Sequence, residues 1–165
     1  MSLLNSVLKV FVGDKSKQDV KSISPIVQQI KALESGVKSL THDELRQKTQ
    51  EFKIKLTEAR KATQEQIDAL KSKIEITEDI DERETLYEQI DQLKVDQYLA
   101  SEETLNEILP EAFAVVKETA QRFVDNSEIT VTASPFDRVL SARKSYVTLK
   151  GNVATWKNSW DAAGK

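Results

Sequence analysis

Residues Thr77–Glu84 read TEDIDERE, and this polar corner decides the fold. It interrupts a run from Val37 to Leu109 that contains neither glycine nor proline, and such a run is helix almost throughout. Before the corner, Ile67, Leu70 and Ile74 recur three and four residues apart; after it, Leu86, Ile90 and Leu93 do the same. If the chain turns at Asp79–Asp81, the two halves fold back along a thin Ile/Leu seam, with Asp81 as cap and Glu84 closing the box. If it does not turn, the whole stretch is one long helix. The corner favours the turn, which predicts a coiled-coil-like antiparallel hairpin over 63–99.

Toward the N-terminus, Thr41 and Glu44 in THDE match a capping box, and Leu45, Phe52, Leu56 and Ala59 line one side of the helix that follows. Ser24-Pro25 has the form of a helix entry, after which Ile26, Ile30, Leu33, Val37 and Leu40 alternate by four and three around Gly36. The first thirteen residues place Leu3, Leu4, Val7, Leu8 and Phe11 on one helical face, with Gly13 as a stop and the polar DKSKQDVKS as a connector. That leader either docks on its own core or lies on a membrane or partner, helped by Lys9, Lys15, Lys17 and Lys21.

Toward the C-terminus, Ser101 is positioned to cap a further helix, and Pro110 removes a backbone donor inside it, bending or restarting it. Beyond Val124 the character changes. EITVTAS alternates like a strand, SPFDRVLSARK reads as a short capped helix, and YVTLKGNVATW as a hairpin around Lys150-Gly151-Asn152. Trp156 and Trp160 are expected as core plugs. The expected fold is therefore mainly α: a helical N-terminal region, an antiparallel helical hairpin and a small irregular or β-hairpin C-terminal segment. Its divisions fall at 1–13, 14–62, 63–99, 100–124 and 125–165.

Composition agrees with helices whose apolar stripes are narrow: 39% of the 165 residues are hydrophobic and 31% charged. The near balance of 24 basic and 27 acidic side chains argues against a nucleic-acid binder. The charge is uneven, with twelve acids between Glu75 and Glu107 against Arg83 and Lys94 alone; the plain reading is a solvated helix face. Cysteine is absent, which excludes disulfides, thiol catalysis and zinc-thiolate sites and fits a reducing compartment. No apolar stretch is long enough to span a bilayer, and Asn5, Ser6 and Lys9 interrupt any secretion-signal pattern.

Chemistry is equally sparse. The four glycines stand apart at 13, 36, 151 and 164, forming no phosphate loop, and the lone histidine, His42, is expected at the surface of a helix entrance. No His/Cys/carboxylate set has metal spacing, and no nucleophile has a partnering base. The residues themselves predict no catalytic, cofactor or metal position.

Two stretches nevertheless carry a resemblance: SLTHDELRQKTQEFKIKL at 39–56 and TLNEILPEAFAVVKETAQR at 104–122. With the leader ending in KVFVG and the helix at IVQQIKAL, they resemble the N-terminal region of the SecA family, motor ATPases that drive preproteins through the bacterial SecY channel. The resemblance covers about 1–57 and 101–124, and LPEAFAVVKE is its most specific part. It implies a segment that packs on a nucleotide-binding domain, while the whole motor uses ATP and Mg. It also implies that Leu3, Leu4, Val7, Leu8, Lys9 and Phe11 meet the channel or an acidic phospholipid surface. Through the whole motor the partners would be the SecY channel and the preprotein, with a homodimer as a candidate assembly and no nucleic acid. The location would be cytoplasmic, peripherally at the inner membrane.

Segments 63–99 and 125–165 stand as insertions relative to that pattern, and no adenine-contacting glutamine or phosphate loop falls within the chain. The alternative is a free-standing helical adaptor whose hairpin binds a protein. A reading frame continuing past Lys165 into a phosphate loop would eliminate it.

Overall fold

The computed structural model describes residues 3–159, with the backbone alone for residues 3–14 and 16. Three long helices dominate: α1 (Leu3–Lys38), α2 (His42–Ile76) and α3 (Ile80–Asp125). They are followed by β1 (Glu128–Thr132), a short α4 (Pro135–Ser141), β2 (Val147–Lys150) and β3 (Val153–Lys157).

The polar corner does turn the chain. Asp79, rather than Asp81, is the cap, its carboxylate accepting from the Glu82 backbone N–H at 3.0 Å. Ile80 already belongs to the helix, so the cap falls on the earlier of the two aspartates. From there α2 and α3 run antiparallel along their whole length. Lys73 meets Glu82, Arg60 meets Ser101, Lys48 meets Glu111 and His42 meets Arg122. The hairpin over 63–99 is thus the distal half of two longer helices, not a pair with ends of its own.

Two apolar clusters hold this framework. The distal one is Ile67, Ile74, Leu86 and Ile90, with Leu70 and Leu93 packed against it, as the seam predicts. The basal one joins all three helices through Val37, Leu45, Ala114 and Val115, flanked by Ile30, Leu40 and Phe52. A polar layer separates the two. Arg60 Nε donates to the Ser101 hydroxyl at 2.7 Å, Ser101 donates to the Gln97 carbonyl at 2.6 Å, and Gln97 Nε2 donates to Gln64 at 3.2 Å. Ser101 is therefore not a cap: it sits buried in the middle of α3, tied to the turn behind it.

Several expected breaks do not occur. Gly13 does not stop the first helix, the connector DKSKQDVKS is helical, Ser24-Pro25 is not an entry, and Pro25 lies inside α1. Pro110 likewise sits inside α3 without restarting it. A single glycine costs a helix about 1 kcal/mol and a proline about 3, and the good helix formers around them outweigh that here. The Thr41–Glu44 box is present in both directions, with the Thr41 N–H donating to Glu44 at 2.7 Å.

α1 runs parallel to α3 at the base, where Glu34 pairs with Lys117 and the carbonyls of Lys38 and Leu40 accept from Arg122. Toward its N-terminus α1 loses this cover: Lys15 and every residue from Lys17 to Pro25 are exposed.

The C-terminal segment forms an antiparallel sheet in the order β1-β3-β2. The β2–β3 hairpin closes through Gly151-Asn152, with Lys150 opposite Val153. Gly151 has φ 61° while no other described residue has positive φ, the pattern of a type II′ turn. The expected strand, capped helix and hairpin are all found. Trp156 lies half-buried on β3; Trp160 lies outside the described residues.

Candidate functional site

The sheet unit is fastened to the helical base by a polar clamp centred on Asp137. Ser134 caps α4 in a reciprocal box, its N–H and hydroxyl donating to Asp137 Oδ2 at 2.7 and 2.8 Å. Arg46, on the first turns of α2, grips the same carboxylate with both terminal nitrogens at 2.7 Å and also donates to the Ser134 hydroxyl at 3.1 Å. Trp156 Nε1 completes the set, donating to Asp137 Oδ1 at 3.2 Å. Asp137 is fully buried. Burial alone pushes its carboxyl upward, but the Arg46 guanidinium and the Ser134 donors outweigh it and hold the pKa at about 2. The same pairing raises the Arg46 guanidinium above its ordinary value.

One further contact fastens the sheet unit, and another ties the helices of the base together. Asp43 accepts from the Thr132 backbone N–H at 2.8 Å and from its hydroxyl at 2.7 Å, occupying the outer edge of β1. Arg122 donates to Glu118 at 2.8 Å and the Leu40 carbonyl at 2.8 Å, and lies 3.1 Å from His42 Nδ1. His42 is therefore half-buried and hydrogen-bonded, not simply at the surface. A cleft of about 990 Å³ opens beside the clamp, lined by His42, Arg46, Phe123, Ile129, Phe136 and Trp156 among others. Of these, Phe136 stacks on Trp156, with centroids 6.4 Å apart and planes 17° apart.

Both terminal nitrogens of Arg46 are engaged by Asp137, and Arg122 donates to the Leu40 carbonyl and Glu118. Among the described residues, no group of three or more His, Asp or Glu could hold a metal ion. Sequence reasoning recognises Ser134–Asp137 only as a helix cap. The long-range partner, Arg46, sits 91 residues away and leaves no sequence signal.

The leader residues Leu3, Leu4, Val7, Leu8, Lys9 and Phe11 belong to the first turns of α1, and their side chains lie outside the described residues. The two stretches that carry the family resemblance, in contrast, meet directly. Residues 39–56 and 104–122 build the base, through Leu45 on Val115, Lys48 with Glu111 at 3.1 Å, and His42 with Arg122.

Long helices tied to a small sheet through the Arg46–Asp137 clamp define a mainly helical scaffold. Comparison with known proteins makes that class specific. The family model described as the SecA DEAD-like domain matches residues 8–156. The protein translocase subunit SecA of Flavobacterium psychrophilum is 56% identical over the whole chain, and that of Christiangramia forsetii 58%. The corresponding subunit of Phocaeicola vulgatus is 40% identical over 97% of the chain. The chain belongs to the SecA family. It spans about 15% of the length of these relatives, and segments 63–99 and 125–165 lie within the two alignments that cover it whole. No solved structure matches it.

Proposed function

We propose that the chain is part of an ATP-driven motor that pushes preproteins through the SecY channel, and that it packs within that motor on the nucleotide-binding domain. Membrane or channel association belongs to the leader. ATP and Mg act elsewhere in the motor, since no phosphate loop occurs in this chain.

The observation that carries the reading lies on the outer face of α3 at the base. Leu105, Leu109, Phe113, Val116, Ala120 and Val124 follow at helical spacing without a charge among them. Phe113, Val116 and Val124 are exposed, at 55%, 66% and 77%. The buried face of the same helix is already occupied by Ala114 and Val115. A charge-free apolar track on the solvent side of a helix calls for another packed surface. This also accounts for the compact apolar run behind Pro110: half of it serves the basal cluster, half faces outward. In the whole motor, Phe113→Asp with Val116→Asp should lower the melting temperature and the ATPase rate together. Unchanged values for both would refute the packing.

A further inference from the structure

The outer face of α3 does not end at Leu105. Continued toward the hairpin tip at steps of three and four, it passes Tyr98, Val95, Tyr87 and Ile80, all exposed, with Tyr98 at 62% and Ile80 at 80%. These side chains point away from α2, because the opposite face of the helix carries Leu86 and Ile90 into the distal seam. The track from Ile80 to Leu105 is about 37 Å long at 1.5 Å per residue. In one respect it differs from its basal continuation: Glu84, Asp91 and Glu102 stand in line within it.

We propose that this distal track docks a cationic amphipathic helix of a partner protein, whose lysines or arginines meet Glu84, Asp91 and Glu102. The inference is independent of the packing proposed for the basal half. A linear, helix-spaced apolar track is the shape a helix-in-groove partner recognises. Acids inside such a track are tolerated on docking only if the partner supplies opposite charge at the same levels, because an unpaired carboxylate cannot be buried cheaply. Asp91 already engages Lys94 at 2.7 Å, on a pair that stays largely exposed, so that contact is available for exchange. The excess of acids between Glu75 and Glu107 extends the attraction beyond the track and repels an anionic lipid surface. At the base, α1 supplies α2 and α3 with a third helix through Val37; the distal cluster is made by α2 and α3 alone.

The test uses the 165-residue chain and two labelled synthetic helical peptides, one of leucine and lysine, the other identical but with glutamate for lysine. Fluorescence anisotropy should show the lysine peptide binding at least tenfold more tightly than its twin, more weakly as salt rises. Asp91→Lys with Glu102→Lys should reverse that preference. Glu103→Lys with Glu107→Lys, off the track, should leave it within twofold, and Tyr98→Ala with Leu105→Ala should weaken it at least fivefold. Circular dichroism checks that each variant is folded; should the reversal unfold the chain, Asp91→Asn with Glu102→Gln must reduce the salt dependence. Equal binding of the two peptides, or equal effects of on-track and off-track reversals, overturns the proposal. Self-association in sedimentation that Tyr98→Glu abolishes would assign the track to a second copy and overturn it too.

Discussion

Asp137 shows how one residue can unite separate parts of a chain. It caps α4, pairs with Arg46 of α2 and accepts from Trp156 of β3, so three elements depend on a single carboxylate. Asp137→Asn keeps the shape but removes the charge, and should destabilise the chain by about 2 kcal/mol in urea unfolding. Because the folded carboxyl sits at about 2, below its ordinary 3.8, its contribution is fully present above about pH 4. It disappears as pH falls through 2, since the unfolded state then binds the proton more readily. The difference in melting temperature between wild type and variant should therefore shrink between pH 4 and pH 2; a constant difference would show that the charge is not what matters. Sequence shows the Ser134–Asp137 box but not Arg46, because capping is local and pairing across 91 residues follows from tertiary contact alone.

The elements were legible wherever periodicity or capping is strong. The Ile/Leu seam, the Thr41 box and the Gly151 turn all appear where spacing places them. Expected ends at Gly13, Ser24 and Ser101 are missing for a common reason: a residue able to cap need not do so when helix continues on both sides. The second, outward track on α3 is also in the sequence, yet the buried seam masks it until the structure shows which face is covered. Since no basal-cluster residue lies within 63–99, deleting Thr63–Leu99 with a short link should leave the rest folded, as Arg60 and Ser101 already lie side by side. Loss of all cooperative melting would show that the polar layer between the clusters is essential. For α1, binding to vesicles should need anionic lipid, weaken with salt and largely vanish in Leu4→Glu with Leu8→Glu, each lysine contributing roughly 1 kcal/mol. Unchanged vesicle binding with a lowered melting temperature would make the leader structural instead.

At the scale of the molecule, the base is where the family signature, the three-helix cluster and the sheet clamp coincide, while the distal hairpin stands on its own seam. Among the described residues no helix is long and apolar enough to cross a membrane. Membership of the SecA family and the charge-free outer face at Phe113 and Val116 together support the proposal that this segment is a docking piece for a motor domain. The most direct measurement is binding in trans: the 165-residue chain titrated into the remainder of the motor, purified separately and followed by calorimetry. Saturable binding is expected, lost in Phe113→Asp with Val116→Asp and retained in Leu4→Glu with Leu8→Glu. Binding that survives the first pair, or is lost only with the second, would contradict the proposal.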